Sequence, residues 1–161
     1  MQNIADELRS IITRFEPKLL KLNDSDVRVR NRGPEKWSQI ELLGHLVDSA
    51  CNNQQKFVRL MLNPKLEFVG YRQDDWVVVQ QYTKADWTQL VGLWVAYNFH
   101  IAYLIENANP ESLSHKIFIE GAGPFELGFI MPDYVEHLKH HLKQIFPSED
   151  LENQFVNVYG A

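Results

Sequence analysis

Ser38-Gln39-Ile40-Glu41-Leu42-Leu43-Gly44-His45-Leu46-Val47-Asp48 opens the most clearly marked helical segment of the chain. A serine followed three residues later by a glutamate is a capping box, in which each side chain satisfies an orphan backbone donor at the start of a helix. Leu43, Val47, Ala50 and Phe57 then recur on one stripe at helical spacing, and Leu42, Leu46 and Ser49 widen it. The pattern predicts a long helix running to about Leu62, stopped by Asn63-Pro64.

Three more helices are legible on either side. Ile4, Leu8, Ile11, Ile12, Phe15 and Leu19 predict a first helix from about Ile4 to Leu22, bent at Pro17. Trp87, Leu90, Trp94, Tyr97, Ile101 and Leu104 mark a third from about Lys84 to Asn107, ended by Asn109-Pro110. The fourth runs from beyond Pro124 to Phe146, with Pro132 either kinking it or marking its first turn. Asp74-Asp75-Trp76 opens a short helical turn. Residues 109–124 read as irregular, apart from a short extended piece over residues 115–119. The expectation is a single all-α domain over residues 1–161, a four-helix bundle with long loops after helices two and three. Its tail, residues 147–161, is polar and expected to be loosely held.

Composition narrows the function. Of 161 residues, 45% are hydrophobic and 23% charged, enough for one core without a stabilising disulfide or structural metal. The net charge is −5, and the longest basic feature is the alternating Arg28, Arg30, Arg32, so nucleic acid is not an expected partner. Cys51 is the only cysteine, which excludes an internal disulfide and a thiolate cluster. With neither a signal-peptide pattern nor a membrane-length apolar run, the expected location is cytoplasmic.

Histidines carry the chemistry. His137 and His141 are four residues apart on a helix, so both imidazoles face one point, the spacing of helical metal ligands. Both lie on a flank of the buried stripe formed by Met131, Val135, Leu138, Leu142 and Ile145, while His140 turns toward solvent or an outer shell. A catalytic zinc-type site needs a third ligand. His45 is the candidate, although its wheel position, with Glu41, Asp48 and Asn52 opposite the apolar stripe, reads first as an exposed polar ridge and only second, because Leu42, Leu46 and Ser49 widen the apolar arc, as the wall of a polar cleft. Periodicity leaves both readings open.

The stretch Lys36-Trp37-Ser38 through His45-Leu46-Val47-Asp48 resembles the opening of helix two in the DinB/YfiT-like superfamily, and His137-x-x-His140-His141-x-x-Gln144 resembles its closing motif. Tyr71-Arg72-Gln73-Asp74-Asp75-Trp76 is similar to an element of the YfiT branch. The resemblance implies a four-helix bundle holding a divalent metal, nickel or zinc, on His45, His137 and His141. Several such relatives transfer low-molecular-weight thiols to electrophiles; others are labelled as metal-dependent hydrolases.

Three functions follow as expectations: a metal-dependent thiol transferase, a hydrolase using activated water, or a non-catalytic binding bundle that dimerises through the aromatic stripe of helix three. A small-molecule substrate, such as a small thiol, and a homodimer are the expected partners. Glu41, Asp48 and His140 are candidates to orient the ligand imidazoles, and Tyr71 and Trp76 to line the cleft; no catalytic residue is assigned. Cys51, His100 and His115 are read as structural.

Overall fold

The computed structural model describes residues 1–159. Four long helices form the bundle: α1 (Gln2–Leu19), α2 (Gln39–Leu62), α4 (Trp87–Glu106) and α5 (Leu127–Ile145), with a short α3 (Gln73–Gln80) between α2 and α4. The capping box at α2 is formed: the Ser38 backbone N–H donates to Glu41 Oε2 at 2.8 Å, and its hydroxyl to the same oxygen at 2.7 Å. At α4 the Asp86 carboxylate accepts from the Gln89 N–H at 2.8 Å. Helix α1 packs on α4, and α2 packs on both α4 and α5. Phe15, Phe57 and Trp94 are fully buried at the centre. Each contributes on the order of 2–3 kcal/mol by leaving water.

The two long connections are not free of strands. Strand β1 (Lys65–Phe68) pairs parallel with β2 (Lys116–Ile119), which pairs antiparallel with β3 (Ala122–Glu126). The expected extended piece is therefore the middle strand of a small sheet within an otherwise helical fold. Ile117 and Ile119 alternate with more exposed neighbours and are buried, which fixes the register against the bundle.

Two expectations need correction, and one open choice is decided. The aromatic stripe of the third long helix is used up internally: Trp87, Leu90, Trp94 and Ile101 are buried in the core, so they offer no dimer surface. Pro132 lies inside α5, five positions after its start at Leu127, and does not mark the first turn. The tail is tied down as far as it is described. Leu151 is buried, the Gln154 N–H donates to Glu136 at 2.6 Å, and the Tyr159 hydroxyl donates to Asp133 at 2.5 Å. Arg14 also reaches Glu149 at 2.9 Å and the Asp150 carbonyl at 3.0 Å. These contacts run the tail along α5, past its histidines; residues 160 and 161 of the predicted tail lie outside the described residues.

Candidate metal centre

Every residue from Ile40 to Ala50 is buried. The first half of α2 thus has no solvent face, because neighbouring elements cover its polar side as well as its apolar one. His45 is fully buried there, so the exposed-ridge reading is overturned. His137 and His141 project from successive turns of α5 toward it.

The three side chains meet through the same atom. His137 Nε2 lies 3.3 Å from His45 Nε2 and 3.1 Å from His141 Nε2. The ring centroids are 4.5–5.2 Å apart and cross nearly edge to face. Trp37 walls the group, its ring 4.9 Å from His45 and 6.4 Å from His141. The Nδ1 atoms of His45 and His141 are buried without a hydrogen-bond partner, and Nδ1 of His137 is 3.4 Å from the Ser49 hydroxyl.

This donor set fits a divalent cation. Burial depresses all three imidazoles toward the neutral form: His45 to about 4, His141 to about 3, and His137 well below its ordinary value, with the neighbouring imidazoles adding to the effect. Neutral rings cannot satisfy three converging Nε2 atoms by bonding to one another, because each proton serves one contact at most. A shared cation satisfies all three lone pairs. His45, His137 and His141 form a group able to hold a metal ion, their candidate ligand atoms all within 4.8 Å of one another.

The group lies in a cleft of about 280 Å³. Ser49, Lys56, Tyr71 and Asp133 also line it, and Phe155 and Tyr159 of the tail cover one side. Phe155 packs edge-on against His137 with ring centroids 4.9 Å apart. His140 lines the cleft beside His141, and its Nε2 accepts from the Gln144 amide at 2.8 Å. Gln144 in turn accepts from Arg32 at 2.9 Å.

Other sequence candidates are placed differently. Neither Glu41 nor Asp48 hydrogen-bonds an imidazole. Glu41 is committed to the helix cap and to Arg30, at 2.6 and 3.2 Å. Asp48 is buried and accepts from Tyr82 and Gln80, each at 2.7 Å. Tyr71 reaches the cleft, whereas Trp76 stands behind it, 4.7 Å from the Tyr71 ring, and does not line the cavity. His100 is exposed, and His115 donates to the Leu60 carbonyl at 2.5 Å, both away from the cleft. Cys51 is half-buried and does not line it either.

Sequence reasoning missed Ser49, Lys56, Asp133, Phe155 and Tyr159 as cleft residues. Ser49 and Lys56 follow His45 by four and eleven positions, and Asp133 precedes His137 by four. Helical spacing therefore carried a signal for these residues. Nothing local marked Phe155 or Tyr159.

Fold and site together define a helical bundle with an imidazole cluster at the floor of a polar cleft. The DinB superfamily model matches residues 7–145, and the chain belongs to that superfamily. Among solved structures, YfiT from Bacillus subtilis superposes with a TM-score of 0.80 at 17% identity, over 90% of this chain and 83% of that one. That protein is described as a probable metal-dependent hydrolase with an unusual four-helix bundle topology. No curated protein matches the chain.

Proposed function

We propose that this chain is a divalent-metal-dependent transferase that joins a low-molecular-weight thiol to an electrophile bound in the cleft. The observation that carries the reading is the convergence of three neutral Nε2 atoms at the floor of an accessible cavity. His45, His137 and His141 would hold nickel or zinc, since imidazole suits both. Bound there, such an ion would supply Lewis acidity that favours the thiolate form of a small thiol at neutral pH.

The chain's own residues do the rest. Trp37 packs against His45 and His141, and Phe155 against His137, contacts that limit rotation of the imidazoles. Ser49 faces His137 Nδ1, where its hydroxyl can fix the ring orientation. The thiol sulfur forms a bond to the electrophilic carbon, whose leaving group departs with its electron pair, and the thiol proton passes to solvent through the cleft mouth.

Hydrolysis is the second reading. In its favour are Asp133, a carboxylate in the cleft, and the description of YfiT. Activated water, however, benefits from a general base within hydrogen-bond reach of the reacting atoms. Among the described residues no carboxylate hydrogen-bonds the three imidazoles, whereas a thiolate is nucleophilic without such help. A non-catalytic binding bundle is the third reading.

No described helix is long and apolar enough to cross a membrane. We place the reaction in the cytoplasm, where reduced thiols are held. A homodimer would use the outer face of α4, where Leu93, Phe99 and Tyr103 are exposed.

The test is monochlorobimane turnover by metal-loaded protein. Consumption above the uncatalysed rate only when a thiol is supplied, and its loss in a His137→Ala/His141→Ala variant, are the expected results. Cleavage of activated esters without a thiol would establish the hydrolase instead. Inactivity in both assays would leave the binding bundle.

A further inference from the structure

The face of α2 that carries His45 continues along the cleft through Ser49 and Asn53 to Lys56. At 1.5 Å rise per residue the Cα atoms of His45 and Lys56 are roughly 16 Å apart along the axis. Side chains on a helix tilt toward its N-terminus, so the Lys56 stem leans back toward the histidines. Both His45 and Lys56 line the same cleft.

Lys56 is an unusual cation for this molecule. Most other partly buried basic side chains are paired: Lys139 with Glu7 at 2.9 Å and also with Glu136, Arg30 with Glu41 at 2.6 Å. Among the described residues Lys56 forms no ion pair and no hydrogen bond. Its ammonium lies over the rings of Phe68 and Tyr159, 5.4 and 5.7 Å from their centroids, a setting that desolvates it without neutralising it. That burial draws its pKa down to about 8, with Asp133 opposing the shift. Asp133 lines the same cavity, but its carboxylate is engaged by the Tyr159 hydroxyl and does not reach Lys56 as an ion pair. The Tyr71 hydroxyl also lies at the cleft and hydrogen-bonds no other described residue.

We infer that Lys56 forms an anion subsite, which binds the carboxylate of a small molecule whose reactive group sits at the histidines. Tyr71 supplies a neutral donor to the same carboxylate. One ammonium with an aspartate nearby suits a monoanion; a phosphate dianion would be repelled by Asp133 and lacks a second cation to balance it. This inference deepens the proposed function by naming the substrate class, and rests on that reading for where the reactive end lies.

Isothermal titration of zinc-loaded and metal-free protein with 3-mercaptopropionate, its neutral amide 3-mercaptopropanamide, and inorganic phosphate tests it. The acid should bind about tenfold more tightly than the amide, and more tightly than phosphate. Lys56→Met, which keeps the stem and loses the charge, should bring acid and amide within about twofold of each other, while Lys56→Arg keeps the preference. Equal binding of acid and amide by the native protein, no binding of either, tighter binding of phosphate, or a preference that survives in Lys56→Met would each overturn the subsite. Circular dichroism of both variants separates loss of charge from loss of fold, and Lys56→Arg alone decides if Lys56→Met does not fold. Acid preference without bimane turnover would sink the transferase and spare the subsite; turnover without preference would do the reverse.

Discussion

Brought from neutral pH down toward pH 4, the metal-free protein should lose on the order of 3 kcal/mol of stability through His45 alone. In the unfolded chain this imidazole takes up a proton near 6.5, while burial in the fold delays protonation to about 4. Between those values the unfolded state binds more protons, so stability falls as pH falls. Above 6.5 both states are neutral, and the contribution is fully present. His141, depressed to about 3, and His137, held well below its ordinary value, act in the same direction. Asp48 and Asp133 act oppositely, because burial raises their carboxyl groups and the fold then takes up protons first. Their effect partly offsets the histidine slope at the acid end of the range. Urea midpoints of chelator-treated protein, measured across this range, should drop steadily below pH 6.5. A flat profile would mean that the imidazoles are solvated and the cluster as described is wrong. Metal-loaded protein should hold its midpoint to lower pH, since protons must then displace the ion.

Gly44→Ala should destabilise the protein by about 3 kcal/mol or more, although alanine favours a helix by about 1 kcal/mol over glycine. The added methyl would fall 2.2–2.5 Å from the Tyr82 ring, well inside contact distance. Tyr82 is buried and its hydroxyl donates to Asp48, so the ring cannot swing away without stripping a buried carboxylate of one of its two donors. Thermal melting of the variant measures the effect. An unchanged melting temperature would show that the ring moves freely and that the Asp48 network is dispensable.

The helices were legible because their signals are local. Ser38 and Glu41 cap α2, and apolar residues recur at helical spacing in all four. The pair His137 and His141 was legible for the same reason. His45 was not, because a helical wheel assumes one wet face, and α2 is enclosed on every side over Ile40–Ala50. Polar residues there are buried in networks, as Glu41 with Arg30 and Asp48 with Tyr82 show. Only the resemblance of the flanking motif pointed to His45. The cleft's cover was illegible altogether. Phe155 and Tyr159 lie in a polar tail, and their contacts with His137 and Asp133 follow from how the chain returns along α5, which no local pattern encodes. Parallel pairing of β1 with β2 joins residues some fifty positions apart and is equally non-local.

If His45, His137 and His141 hold one divalent ion, the purified protein carries it, and metal analysis reads it out. Tag-free native protein and the His137→Ala/His141→Ala variant, purified in parallel, would be assayed by inductively coupled plasma mass spectrometry. About one nickel or zinc ion per native chain is expected, and almost none in the variant. Native protein that takes up no metal even after reconstitution, or a variant that retains it, would show that the three histidines are not a metal site.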